Sequence, residues 1–262
     1  MESIEKKINP GAKWNDYYSN NNLVWENKNY YNEEYINSYL KSEWIKKLIT
    51  NLEKGDAILE AGCGTGLYSI TLAYLGYNVT SIDYNSEAIE LAKNNLKLFN
   101  SQSSKKININ FLQGDLLNLK FSDDSFDLVF NQAVLEYFTD DDSFRKAIFE
   151  MRRVTKKGGN TIAIIQNTNN PLRFVSKFFD QDGFVNQPDV RKINTEVLKY
   201  YFGTYFTKIK IDGLFPWKSV FKVFPKFGGK IYYLNRFFEK FIPLPRFIRS
   251  KIGIQLIVSS IK

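Results

Sequence analysis

Three glycines on alternate positions, Gly62, Gly64 and Gly66, follow directly on a short apolar run that carries a carboxylate, Ile58-Leu59-Glu60-Ala61. Glycine serves where the backbone needs positive φ, or where a ligand must approach the main chain with no Cβ in the way. The residues beyond the turn, Leu67 to Leu75, are apolar and helix-compatible. A helix N-terminus is therefore expected just past the turn, with a ligand lying across Gly62 to Gly66. Spacing restricts that ligand. A pyrophosphate turn reads G-x-G-x-x-G, whereas this one reads G-x-G-x-G with an acidic residue two positions before the first glycine. The single cysteine, Cys63, sits inside the turn and reads as a small turn residue, leaving no internal disulfide and no multi-cysteine metal site.

The elements that must position these residues follow from periodicity. Apolar runs predict strands at Tyr77 to Asp83, Ile107 to Gly114, Phe126 to Asn131 and Thr161 to Gln166, with helices at Ser86 to Phe99 and Asp140 to Thr155 between them. Such alternation implies parallel strands with right-handed helical crossovers, and a ligand at the strands' carboxyl ends. Those ends carry Glu60, Asp83-Tyr84, Asp115-Leu116 and Asn131-Gln132. Ahead of the glycine turn, apolar residues from Asn32 to Leu52 recur at three- and four-residue steps, which predicts one amphipathic helix. After Asn167 the alternation breaks. A helix is predicted at Thr195 to Tyr201 and strands at Lys208 to Gly213 and Ile254 to Ile261, separated by a connection far longer than a hairpin needs.

Taken in order, EAGCGTG, SIDY, QGDLL, FDLVFNQAVLEYF and MRRVTKKGG resemble five successive motifs of the class I S-adenosylmethionine-dependent methyltransferases, closest to the type 11 branch that includes quinone-biosynthesis enzymes. The resemblance covers roughly residues 53–166. It implies S-adenosyl-L-methionine as cofactor, S-adenosyl-L-homocysteine as product, and a cofactor site built from Glu60, Gly62, Cys63, Gly64, Gly66, Asp83, Tyr84, Asp115, Leu116, Asn131 and Gln132. Asp83 would accept the ribose hydroxyls, Asp115 the adenine amino group, and Leu116 would pack on the ring. Tyr18, in the aromatic stretch Trp14-x-x-Tyr17-Tyr18, resembles one of the side chains that close over the cofactor in that family. Two departures stand out: Lys156-Lys157-Gly158-Gly159 replaces the usual Lys-Pro-Gly-Gly, and Glu136-Tyr137 replaces Glu-His.

A sulfonium methyl is already activated, so the protein chiefly has to hold a nucleophile in line with it. The chain contains no histidine, the side chain best matched to general base work at neutral pH. Either the acceptor arrives nucleophilic or a carboxylate or tyrosine acts, and Glu136 and Tyr137 are the catalytic candidates. Asn131-Gln132-Ala133-Val134 is not the Asn/Asp-Pro-Pro-Tyr/Phe of nucleic-acid amino methylation, and Cys63 is misplaced for cytosine C5 chemistry.

The net charge of +8 is concentrated in the last third, where residues 171–262 hold 17 basic against 6 acidic side chains. Basic residues interleave with aromatics from Phe215 to Lys251, as in a segment lying on anionic lipid or a lid over an aromatic substrate. No apolar run reaches the roughly 18 residues needed to cross a bilayer and no signal-peptide core follows Met1, which predicts a cytoplasmic protein. The expected fold is α/β: a Rossmann-like seven-strand sheet, mostly parallel with an antiparallel last strand and helices on both faces. Residues 1–52 would form an aromatic, helical cap and residues 53–262 the methyltransferase domain, with insertions at about 168–194 and 215–251. The expected function is methyl transfer to a nitrogen or oxygen of a small-molecule or lipidic acceptor, with peripheral membrane contact through the 215–251 insert. The alternatives are a catalytically silent cofactor-binding or membrane-associating module, and an RNA methyltransferase, although the motifs argue against nucleic acid.

Overall fold

The computed structural model describes residues 31–40, 42–171, 190–215, 241–242 and 244–262. Tyr18 and its aromatic neighbours, and most of both expected insertions, lie outside the described residues. The chain divides into two compact units, residues 1–122 and 123–262.

In the first unit, helices α1 (Glu33–Tyr39) and α2 (Glu43–Leu48) precede β1 (Ala57–Ala61), α3 (Leu67–Leu75), β2 (Asn78–Asp83), α4 (Ser86–Gln102) and β3 (Asn110–Gln113). The single helix expected from Asn32 to Leu52 is thus two. Ser42 is extended, and its hydroxyl donates to Tyr39 O at 2.6 Å. The break has an aromatic reason. Tyr39 stacks on Tyr68 at 5.8 Å while Trp44 meets the same ring edge-on at 4.5 Å. Five positions apart on a continuous helix, Tyr39 and Trp44 would point about 140° away from each other and could not share a partner. Strand β1 pairs in parallel with β2, and β2 with β3.

The second unit holds β4 (Phe126–Gln132), a 3₁₀ turn (Leu135–Tyr137), α5 (Asp141–Val154), β5 (Thr155–Gln166), α6 (Thr195–Gly203), β6 (Lys208–Leu214), α7 (Arg246–Ile252) and β7 (Gln255–Ile261). Strand β4 is buried along nearly its whole length, as a strand covered on both faces must be. Strands β4 and β5 are parallel, while β7 runs antiparallel to both β5 and β6. The full strand order is β3-β2-β1-β4-β5-β7-β6, the expected seven-strand, mostly parallel sheet with its last strand reversed.

Strand β5 begins six residues earlier than its apolar run. Gly158, at φ 80°, donates its N–H to Lys262 O at 2.9 Å, and Lys262 N–H returns to Gly159 O at 3.2 Å. A Cβ on Gly159 would stand 2.8 Å from Asp127 O, so the glycine pair lets the strand run close beside β4.

Candidate functional site

The glycine turn takes the conformation its composition demands. Gly62, Gly64 and Gly66 all have positive φ, at 96°, 49° and 78°. The N–H groups of Gly62 and Cys63 both donate to Ile82 O, at 2.8 and 2.9 Å, and Gly66 N–H donates to Cys63 O at 2.9 Å. Gly64 N–H donates to Asp83 Oδ2 at 2.9 Å. Four turn amides are therefore spent inside the protein. A pyrophosphate cradle needs such amides for its ligand, so the internal bonding agrees with the spacing in disfavouring a dinucleotide.

The carboxylates flanking this turn have different surroundings. Glu60, on β1, is 1% exposed and accepts from the Ser69 hydroxyl on α3. Burial, opposed by the Ser69 bonds, pushes its pKa up to about 8. Its contacts tie β1 to the first turn of α3. Asp83, at the end of β2, is only half-buried and also accepts Asn85 N–H at 3.0 Å through Oδ1. Burial raises its pKa, partly offset by these backbone bonds. Next to it, Tyr84 is 50% exposed, while Gln113 on β3 donates to Tyr84 O at 3.1 Å. Asp115 Oδ1 accepts Leu117 N–H at 2.8 Å, and Leu116 is buried beside it.

Two predicted cofactor residues have evident structural work. Cys63 is buried and its thiol pKa is pushed well up by burial, in keeping with a small turn residue that is no nucleophile. A Cβ on Gly66 would lie 3.0 Å from Ala92 Cβ and from Phe111 Cζ, so this glycine also allows α4 and β3 to close on the turn. Sequence reasoning missed the residues that anchor the turn from a distance. Asn95 Nδ2 donates to Thr65 O at 2.9 Å and Tyr31 OH donates to the same carbonyl at 3.3 Å. Asn95 sits on the buried side of α4, where a polar residue is a usable signal.

The second unit carries the remaining candidates. Asn131 is fully buried, with Nδ2 directed at Met151 Sδ, 3.2 Å away. Ala133, just past β4, has φ 54°, a costly conformation for a residue with a Cβ, held by Ala133 N–H donating to Ile164 O at 2.9 Å. Glu136 follows on the 3₁₀ turn, 4% exposed, with Oε1 accepting Gln166 N–H at 3.4 Å. Burial pushes its pKa up to about 7. Tyr137 is half-buried on the same turn.

A mostly parallel sheet with a reversed seventh strand, and a positive-φ glycine turn bonded to an acidic strand end, are the arrangement expected of a class I methyltransferase fold. Residues 59–163 match the family described as "Methyltransferase domain". The chain is 32% identical over 141 residues to a malonyl-[acyl-carrier protein] O-methyltransferase of Buchnera aphidicola, covering 52% of each chain. It is 31% identical over 126 residues to a demethylmenaquinone methyltransferase of Staphylococcus epidermidis, covering 46% of this chain and 48% of that one. The chain spans about half the length of the curated relatives it matches. A SAM-dependent methyltransferase of Methanosarcina mazei shares the fold with a TM-score of 0.57 at 21% identity, over 84% of this chain and 97% of that one.

Asp83, Tyr84, Asp115 and Leu116 fit the cofactor's nucleoside half. They offer a half-buried carboxylate at one strand end, an exposed ring beside it, and a carboxylate with an apolar neighbour at the next.

Proposed function

We propose that this protein transfers the methyl group of S-adenosylmethionine to a nitrogen or oxygen of a small-molecule or lipidic acceptor, in the cytoplasm. The observation that carries the reading is the bond from Gly64 N–H to Asp83, because it sets a carboxylate at the lip of a turn in which the amides of Gly62, Cys63 and Gly66 are also bonded inside the protein. Bound there, the cofactor supplies an activated methyl group. Asp83 holds the ribose, Asp115 and Leu116 hold the base, and Glu60 keeps the turn in place through Ser69. Glu136 is the group best suited to move a proton, since burial has brought its pKa into the neutral range. The relatives named for malonyl-[acyl-carrier protein] and demethylmenaquinone motivate a small or lipidic acceptor.

Titration calorimetry with S-adenosylmethionine and S-adenosylhomocysteine, followed by turnover against an acceptor panel, tests the reading. No binding of either nucleoside rejects it. Binding with no turnover on any acceptor would favour the silent module.

We further infer that the β6 to β7 connection serves acceptor access at an anionic surface. Most of it lies outside the described residues. Its described end supports the idea: Phe241 and Phe247 are 59% and 66% exposed, close in sequence to the exposed cations Arg246 and Lys251. No helix among the described residues is long and apolar enough to cross a membrane. Binding to anionic vesicles should exceed binding to neutral ones and fall with added salt. Equal binding to both vesicle types removes the membrane from the proposal, and a steeply salt-dependent affinity for RNA would redirect it to nucleic acid.

A further inference from the structure

Around the glycine turn a carboxylate and two hydroxyls form one buried chain, all of it within the first unit. Glu60 on β1 accepts the Ser69 hydroxyl on α3, and Ser69 Oγ lies 2.5 Å from Ser81 Oγ on β2. None of the three residues is more than 1% exposed. The Ser69 backbone N–H also bonds to the Glu60 carboxylate. Helix α3 has no side-chain cap of its own, because its N-cap is Gly66. Ser69 is the third residue of α3, whose amide an N-cap side chain ordinarily takes, so Glu60 caps this helix from a neighbouring strand.

A chain of this kind has a direction. When Glu60 is ionised it can only accept, so Ser69 donates to it and Ser81 donates to Ser69. A proton on the bonded carboxyl oxygen reverses both bonds. The titratable groups that face Glu60 are Asp83 at the end of β2, Cys63 in the turn, Tyr31, and Tyr39 on α1. None of these can carry a positive charge. Burial favours the proton, the Ser69 hydroxyl opposes it and Asp83 adds to burial, which leaves the pKa at about 8.

We propose that Glu60, Ser69 and Ser81 make the cofactor turn sensitive to ligand charge, so that S-adenosylmethionine binds with loss of the Glu60 proton and S-adenosylhomocysteine binds with it retained; this rests on the methyltransferase reading above. With the ribose at Asp83, the rest of the ligand lies back across Gly62 to Gly66, and Glu60 immediately precedes that stretch. The methylated ligand brings a sulfonium and an ammonium against a single carboxylate. After transfer its sulfur is a thioether and the net positive charge is gone. A positive ligand supplies what the surroundings of Glu60 lack and stabilises the ionised carboxylate, whereas a neutral one does not. The linkage is reciprocal, so preference for substrate over product grows as pH rises toward the pKa of free Glu60 and is complete above it. Ser81 is a positioning residue in this scheme, acting on Glu60 only through Ser69.

Calorimetry of the full chain in two buffers of different ionisation enthalpy counts the protons released on binding. At pH 7, S-adenosylmethionine should release more protons than S-adenosylhomocysteine, by about 0.3 per site or more. Its affinity relative to the product should rise by about threefold or more from pH 6 to pH 8.5. The ligands' own α-amino groups titrate at about 8, so both effects are read as parent minus Glu60→Gln, in which that contribution persists and the Glu60 one is lost. Ser81→Ala withdraws support from ionised Glu60 and should move the rise in preference to higher pH. Failure of both ligands to bind would reject the methyltransferase reading itself. Normal binding with the same proton count and pH profile in parent and Glu60→Gln overturns only the charge-sensing proposal, as does a Ser81→Ala profile superimposable on the parent's. Should Glu60→Gln fail to fold, Ser81→Ala, which removes a single oxygen, carries the test through the same shift.

Discussion

Asp83 Oδ2 accepts the backbone N–H of Gly64 at 2.9 Å across nineteen positions of sequence, so one carboxylate fixes the glycine turn and faces the ligand it is proposed to hold. The two roles share one side chain. Asp83→Ala should therefore weaken S-adenosylmethionine binding by about 2–3 kcal/mol, through loss of charge-assisted hydrogen bonds. Asp83→Asn should fall between, because one of its two former acceptor positions becomes an NH₂ facing a backbone N–H. Calorimetry on folded variants decides, and an unchanged affinity for Asp83→Ala removes this residue from the site.

Glu60 and Glu136 both hold their protons to higher pH than an unfolded chain does, near 8 and 7 against a usual 4.5. Their stabilising contribution is full below pH 4.5 and is lost as pH rises through those folded values. Stability of the cofactor-free protein should accordingly fall between pH 5 and pH 8.5, with a slope of at most about 1.4 kcal/mol per pH unit for each group. Glu60→Gln should flatten the portion up to pH 8 in urea titrations. A slope identical to the parent's would show that Glu60 is ionised throughout.

Gly66 combines φ 78° with a prospective Cβ only 3.0 Å from Ala92 and Phe111. Gly66→Ala adds a backbone penalty to overpacking, and a loss on the order of 2–4 kcal/mol is expected. Gly76, also at positive φ, has only the Lys54 side chain 3.9 Å from its prospective Cβ. Gly76→Ala should cost about 1 kcal/mol, the backbone share alone. Equal losses in the two variants would mean that packing against α4 and β3 is not what selects glycine at position 66.

Asn167 closes the end of α7 from the end of β5. Its Nδ2 donates to the carbonyls of Lys251 and Gly253, at 3.2 and 3.0 Å, and Asn170 Nδ2 adds a bond to Ile252 O at 2.9 Å. Asn167→Ala leaves buried carbonyls short of donors and should cost on the order of 1–3 kcal/mol. Hydrogen exchange should quicken in α7 before it quickens in β5. Uniform exchange changes across the second unit would argue against a local latch.

The sequence by itself determined the parts of this protein whose cause is local. Three alternate glycines after Ile58-Leu59-Glu60-Ala61 could only be a turn between strand and helix, and the structure places α3 directly after Gly66. Periodicity located the seven strands, and the motif order gave the reversal of β7 through resemblance, later seen in its pairing with β5 and β6. Tertiary structure decided whatever depends on partners remote in sequence. The break between α1 and α2 exists because Tyr39 and Trp44 must both reach Tyr68, and no periodicity within residues 32–52 records where Tyr68 will be. Strand β5 starts at Thr155 because Gly158 and Gly159 pair with Lys262, a hundred residues away in the chain. Asn95 and Tyr31 became anchors of the turn only when folding brought both to Thr65 O. Glu136 is the clearest case. Its residue type was enough to nominate it, but its raised pKa arises from desolvation, a property of the packed interior that a linear sequence does not possess.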